Sequence, residues 1–188
     1  YRDYWNDYQR LMGRHGVTPD MAKALLRRST TTIGAMMVRR GDADAMLCGL
    51  VGRFDVHLGH VRDVIGLKPG ATTLATLNAL MLPQHTIFVT DTFVNEEPTA
   101  EELAEIAAMA AVEVRRFGLP PKVAFLSHSM FGSRDRPSAR RMRRAHKLFA
   151  AACPDVECDG ERQGDAALAE EVRRPFLHDS TLQGGANI

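Results

Sequence analysis

Ser127, Ser129, Gly132 and Ser133 fall within SHSMFGS, between an apolar run that ends at Leu126 and a basic run that begins at Arg134. Hydroxyl side chains and a glycine between a strand and a helix start suit an anion: backbone N–H groups are exposed there, and the helix dipole adds positive potential. A phosphate is the expected ligand, with Arg134 and Arg136, the arginines nearest the loop, as its side-chain contacts. The stretch has neither the glycine-lysine pair of a nucleotide-binding P-loop nor the GxSxG of a nucleophile elbow. No catalytic residue is therefore assigned, and His128 reads as a loop residue.

Other candidates also sit where strands should end, which is where open α/β sheets bind ligands. Gly49 and Gly52 allow close backbone approach beside Arg53, which either holds an anion or is a solvated turn residue. Asp91 and Asn95 follow the run that ends at Val89. They either bind a polar ligand or close side-chain-to-backbone turns, the usual work of such residues in loops. Asp159, Glu161 and Asp165 lie within seven residues of one another. Carboxylates so spaced could reach a metal, but a magnesium site ordinarily needs a substrate phosphate or further ligands. For Asp159 and Asp165, helix capping or ion pairing with the arginines is the preferred reading, and no metal ligand is assigned.

The elements that must position these residues alternate in type. Thr18, Pro19 and Asp20 form a helix start, with a hydroxyl cap, Pro at the first position and an acid in the first turn; the helix is expected to run to Arg40 and stop at Gly41. Ala43 to Leu50 reads as a short buried strand, and VHLGHVRDVIGL as a helix. TTLATLNALML and HTIFVTDTFV are apolar runs separated by Pro83 and Gln84, short enough a connection for an antiparallel pair. Thr99 and Glu102 form a capping box for a helix whose apolar face carries Leu103, Ile106, Ala107, Ala110 and Val114.

KVAFLSHS is a further strand. A basic helix is expected from Pro137 to just before Pro154, with most of its arginines on a solvated face, and another helix after VECDGERQGD leads toward a strand at Ala186. This order implies an α/β sheet covered by helices, with one β-hairpin.

Composition limits the function classes. The chain of 188 residues is 45% hydrophobic and 25% charged, as a globular domain should be. Its net charge is only +1, so the run from Arg134 to Lys147 is a local feature, and a dedicated nucleic-acid partner is not expected. The odd count of cysteines (Cys48, Cys153, Cys158) lacks the CxxC spacing of a metal or redox site. No apolar stretch is long enough for a membrane helix and no signal peptide is recognised, so a cytoplasmic location is expected. The chain begins at Tyr1 without Met and stops in GGANI, and is expected to be a piece of something longer.

The blocks GDADAMLCG, FVTDTFVNEEPTAEELAEIA, RFGLPPKVAFLSHSMFGS and DGERQGDAAL with GGAN, in this order, resemble the phosphotransacetylase (phosphate acetyl/butyryltransferase) family. They more closely resemble the phosphotransacetylase-like C-terminal domain of bacterial NADP-dependent malic enzymes, and HGVTPDMAKALLRR fits the same pattern. The resemblance implies that residues 1–188 are part of a larger domain, from which a malic enzyme region before it and the domain's own C-terminal end are absent. It implies a three-layer α/β/α sandwich with a mostly parallel sheet, like that of isocitrate and isopropylmalate dehydrogenases.

It implies acetyl-CoA as an allosteric effector and assembly into a homodimer or larger homo-oligomer. NADP and magnesium or manganese would bind in the parent enzyme, with no cofactor in this stretch. Acyl-CoA would be the small-molecule partner, with no nucleic acid or membrane involved. The candidate contacts to acetyl-CoA or phosphate are then Ser127, Ser129, Gly132, Ser133, Arg134, Arg136, Arg53, Asp91, Asn95, Asp159 and Asp165. In stand-alone family members, arginines hold the anionic substrates. The positions that correspond here fall near Gly59 and at Met12, which favours binding over acetyl transfer; the alternative is an active phosphate acetyltransferase.

Overall fold

Thr18 accepts a hydrogen bond from the Met21 N–H, and Pro19 takes the first helical position, where its missing N–H costs nothing. The helix it starts, α2 (Pro19–Arg28), follows α1 (Arg2–Met12) and precedes α3 (Thr30–Arg40) and α4 (Phe54–Val64). The computed structural model describes residues 1–177 and 180–188. They form two compact units, Tyr1–Pro69 and Gly70–Ile188.

In the first unit, one expected long helix is two. Ser29 is extended (φ −106°, ψ 99°), ends α2 and caps α3 by accepting from the Thr32 N–H. A serine that competes for backbone groups can break a helix without glycine or proline. Gly41, at φ +76°, stops α3 where expected. Tyr8, Ala22, Leu26, Ala35, Met36 and Val64 fill the core of this unit.

The strand expected over residues 43–50 is absent: the segment pairs with no strand among the described residues, and Leu47 and Leu50 are fully exposed. His57 ties its end down, with Nδ1 2.7 Å from Thr31 Oγ1 and Nε2 2.8 Å from the Val51 carbonyl.

The second unit begins with a hairpin. Strands β1 (Asn78–Met81) and β2 (Thr86–Val89) pair antiparallel, with Asn78 opposite Val89 and Met81 opposite Thr86. They are shorter than the apolar runs that announced them. The capping box at Thr99 and Glu102 opens α5 (Ala100–Arg116). Next, β3 (Lys122–Leu126) and β4 (Glu157–Arg162) pair in parallel, joined by α6 (Pro137–Ala152), the crossover that parallel strands require. Short helices α7 (Gly164–Leu168) and α8 (Glu170–Arg173) complete the set.

The core of this unit packs Ala107 and Ala111 of α5, Val123 and Phe125 of β3, Phe149 of α6 and Cys158 of β4. Residues 186–188 form no ladder of the expected kind, yet they bridge the two pairs. Phe88 N–H donates to the Asn187 carbonyl at 2.7 Å, and Ala124 N–H to the Ile188 carbonyl at 2.8 Å. The result is an α/β fold with two small sheets. Among the described residues, no helix is long and apolar enough to cross a membrane.

The basic helix needs a correction. Arg140 and Arg143 pair with Asp135, Arg144 with Glu101, and Arg141 donates to the Pro98 carbonyl at 2.9 Å. Much of the face expected to be merely solvated ties α6 to its neighbours.

Candidate functional site

The parallel ladder carries the SHSMFGS loop to the N-terminus of α6. Ser127 extends β3 by donating its N–H to the Arg162 carbonyl at 2.8 Å, and its hydroxyl accepts from the Ser129 N–H at 3.1 Å. Ser133 closes the next turn, accepting from the Met130 N–H at 3.0 Å. Helix α6 starts at Pro137 without a side-chain cap, which leaves its first N–H groups open.

Two of the expected phosphate donors are already engaged. Ser129, fully buried, donates its hydroxyl to Glu161 Oε1 at 2.7 Å, and Gly132 N–H donates to the same oxygen at 2.9 Å. Arg143 Nε lies 2.9 Å from Glu161 Oε2, an ion pair whose alignment falls short of a hydrogen bond. Phe131 N–H donates to the Glu161 carbonyl at 2.9 Å. The loop thus surrounds an anion supplied by the protein itself. Arg134 and Arg136 differ: both are exposed, and their side chains have no hydrogen-bond or ion-pair partner among the described residues.

The acidic stretch does not act as a unit. Asp159 is buried, accepts from the Gly160 N–H at 2.8 Å and from the Ser180 hydroxyl, and pairs with the fully buried Arg162. Asp165 is exposed and accepts from the Ala166 N–H in the first turn of α7. Among the described residues, no group of three or more His, Cys, Asp or Glu side chains could hold a metal.

Asp91 and Asn95 brace a loop. Asp91 accepts from the Thr76 N–H and hydroxyl through Oδ1 and from the Asn95 N–H and amide through Oδ2, while Asn95 also donates to the Leu74 carbonyl at 2.8 Å. Burial pushes the Asp91 carboxyl up, but the hydrogen bonds from Thr76 and Asn95 outweigh it, so it titrates below the ordinary aspartate value of 3.8. A carboxylate with a depressed folded value contributes stability above its unfolded value. That stability is lost as pH falls through the folded value. Asp91→Asn is therefore expected to lose stability at neutral pH and to show a shallower loss below pH 3.8, measured by urea unfolding across a pH series.

Arg53 lies in the first unit, exposed and paired with Asp55 at 2.6 Å.

A cavity of about 330 Å³ in the second unit is lined by groups such as Ile87, Leu103, Ile106, Phe125, Met142 and Ile188. It is apolar and offers no charge for an anion, which leaves the outer face of the loop, with Arg134, Arg136 and the open end of α6, as the candidate site. Sequence reasoning weighed Glu161 only as a metal ligand and Arg143 only as one of the basic-helix arginines, and so missed that the two build this site from inside. No signal in the sequence places ECDGER against the loop, because that strand lacks an apolar run.

Known proteins resemble this chain along its whole length. The phosphate acetyl/butaryl transferase family matches residues 1–188. The chain is 50% identical over 188 residues to the NADP-dependent malic enzyme of Escherichia coli K12, all of this chain and 25% of that protein. It is 30% identical over 188 residues to the phosphate acetyltransferase of Nitratidesulfovibrio vulgaris, 27% of which it covers. The structure of EutD phosphotransacetylase from Staphylococcus aureus matches with a TM-score of 0.85 at 27% identity, over 99% of this chain and 57% of that one. The chain spans about a quarter of the length of the curated relatives it matches.

Proposed function

The chain belongs to the phosphate acetyl/butaryl transferase family, and we propose that it is a regulatory, acetyl-CoA-binding and oligomerising domain of an NADP-dependent malic enzyme. The parent would oxidatively decarboxylate malate to pyruvate, with NADP and magnesium or manganese held outside these residues. The observation that carries the binding role is the pair of exposed arginines, Arg134 and Arg136, which have no partner among the described residues, beside the uncapped start of α6. Coenzyme A presents a pyrophosphate and a 3′-phosphate, and arginine forks with helix N–H groups are suited to both. The 50% identity to a malic enzyme supports that parent over a stand-alone transferase.

The reading extends to architecture and place. The hydrogen bonds from residues 186–188 to both strand pairs support one larger sheet in the parent, the three-layer dehydrogenase-like sandwich. A cytoplasmic homodimer or larger assembly completes the proposal. Active acetyl transfer between phosphate and coenzyme A is the second reading, supported by the phosphate acetyltransferase relative.

The test uses the full-length protein, measuring malate oxidation against acetyl-CoA concentration. With Arg134 and Arg136 both changed to Ala, the half-inhibitory concentration is expected to rise about tenfold or more, the loss of two charge-assisted contacts. Malate oxidation without acetyl-CoA should stay unchanged. Unaltered inhibition in the double variant removes these two side chains from the site. Acetyl phosphate formation by the wild-type protein makes the transferase reading the correct one.

A further inference from the structure

Glu161 is a buried ionisable group that the proposed ligand site does not use directly. Its side chain has no exposure, yet it sits one residue before the end of β4, with its carboxylate against the SHSMFGS loop. A carboxylate in such a place is stable only if donors replace its water. Here the donors are the Ser129 hydroxyl and the Gly132 N–H, with the Arg143 guanidinium as the counter-charge. Ser129 and Gly132 are two of the groups expected from the sequence to hold a phosphate, and the protein's own carboxylate occupies them. The Ser129 oxygen then accepts the Arg134 N–H at 3.0 Å. A continuous path therefore runs from Glu161 through Ser129 to the backbone of the first exposed arginine.

We propose that Glu161 is a positioning residue: an internal anion that fills the donors of the loop and so fixes where Arg134 and Arg136 meet the ligand phosphate. The ligand anion binds outside the loop, on the arginines and the α6 N-terminus, and Ser129 and Gly132 do not touch it. The ligand half of this proposal rests on acetyl-CoA binding as proposed above; the internal-anion half rests on the loop alone.

A role as an anion, beyond simple packing, makes the carboxylate replaceable. In full-length protein carrying Glu161→Ala, hydrogen–deuterium exchange at the Gly132 and Arg134 amides is expected to rise about tenfold or more, as their acceptor or its anchor is lost. Formate, the smallest carboxylate, should slow that exchange again, whereas chloride at the same ionic strength should not. The half-inhibitory acetyl-CoA concentration should rise about tenfold in the variant and fall back with formate.

Glu161→Gln keeps an acceptor for Ser129 and Gly132 but loses the charge facing Arg143, and an intermediate shift is expected. Formate without effect on exchange in Glu161→Ala overturns the proposal. If that variant does not fold, wild-type exchange and wild-type acetyl-CoA response in Glu161→Gln overturn it instead. Should the wild-type protein not respond to acetyl-CoA at all, the ligand reading fails, and the formate dependence of exchange still decides the internal anion.

Discussion

Asp159→Ala is expected to cost the fold about 3–5 kcal/mol, the loss that follows when one partner of a buried ion pair is removed. The partner left behind is Arg162, fully buried in β4. Burial already draws the Arg162 pKa down, and Asp159 is the group that pushes it back. Few groups could take over. Arg162 Nε has no hydrogen-bond partner among the described residues, Nη1 lies 3.5 Å from the Ala166 carbonyl, and the Phe131 ring sits 5.3 Å from the guanidinium carbon.

Two further variants separate charge from geometry. Asp159→Asn keeps the shape of the side chain and one of its two oxygens, enough for either the Gly160 N–H or the Ser180 hydroxyl, yet it should still lose most of the stability if charge is what matters. Asp159→Leu combined with Arg162→Met should recover much of the loss, because apolar replacements of buried pairs are often near neutral. The urea unfolding midpoint measures all three. An Asp159→Ala midpoint equal to wild type would show that Arg162 does not depend on this carboxylate.

The same residues mark where the sequence stopped being readable. Local signals worked well: Thr18 with Pro19, the Thr99–Glu102 box and the start of α6 at Pro137 each depend on neighbours within a turn, and the structure has them. The antiparallel hairpin and the strand at Val123 followed from apolar runs. Strand β4 gave no such signal, because ECDGER places Asp159, Glu161 and Arg162 in the interior, with Glu161 held by the distant Ser129 and Asp159 paired with Arg162 three residues on. Hydrophobic alternation fails wherever buried charges neutralise one another.

The reverse error arose at residues 43–50, where an apolar run implied a buried strand and pairing decides the outcome. Pairing is non-local, and a single run cannot report it. The candidate site divides along the same line. Arg134 and Arg136 were legible as exposed charge beside a helix start, while Glu161 became legible only once β4 lay against the loop.

Gly160→Ala is the second large expected effect, and it connects stability to the site. Gly160 stands opposite Phe125 in the parallel ladder. A Cβ there would lie 2.7 Å from Phe125 Cβ and 2.8 Å from the Phe125 carbonyl oxygen. One of those neighbours is backbone and the other a core stem, with Phe125 packed on Phe149 at 5.7 Å between ring centroids. The residue also has φ +154°, which L side chains rarely adopt. Strain and overpacking at about 1–3 kcal/mol each give an expected loss of roughly 2–6 kcal/mol.

Gly164→Ala is the matched control, since its Cβ would meet nothing within 4 Å and it lies in a helix, where alanine should be neutral or slightly stabilising. A Gly160→Ala midpoint within error of Gly164→Ala would mean that β3 and β4 can separate without cost. If they cannot, the displaced strand carries Glu161 away from Ser129 and Gly132, and protection of the loop amides should fall together with stability. Gly160 would then be required for two reasons that a single close approach explains: it lets β4 pass Phe125, and it brings the next residue's carboxylate into the loop.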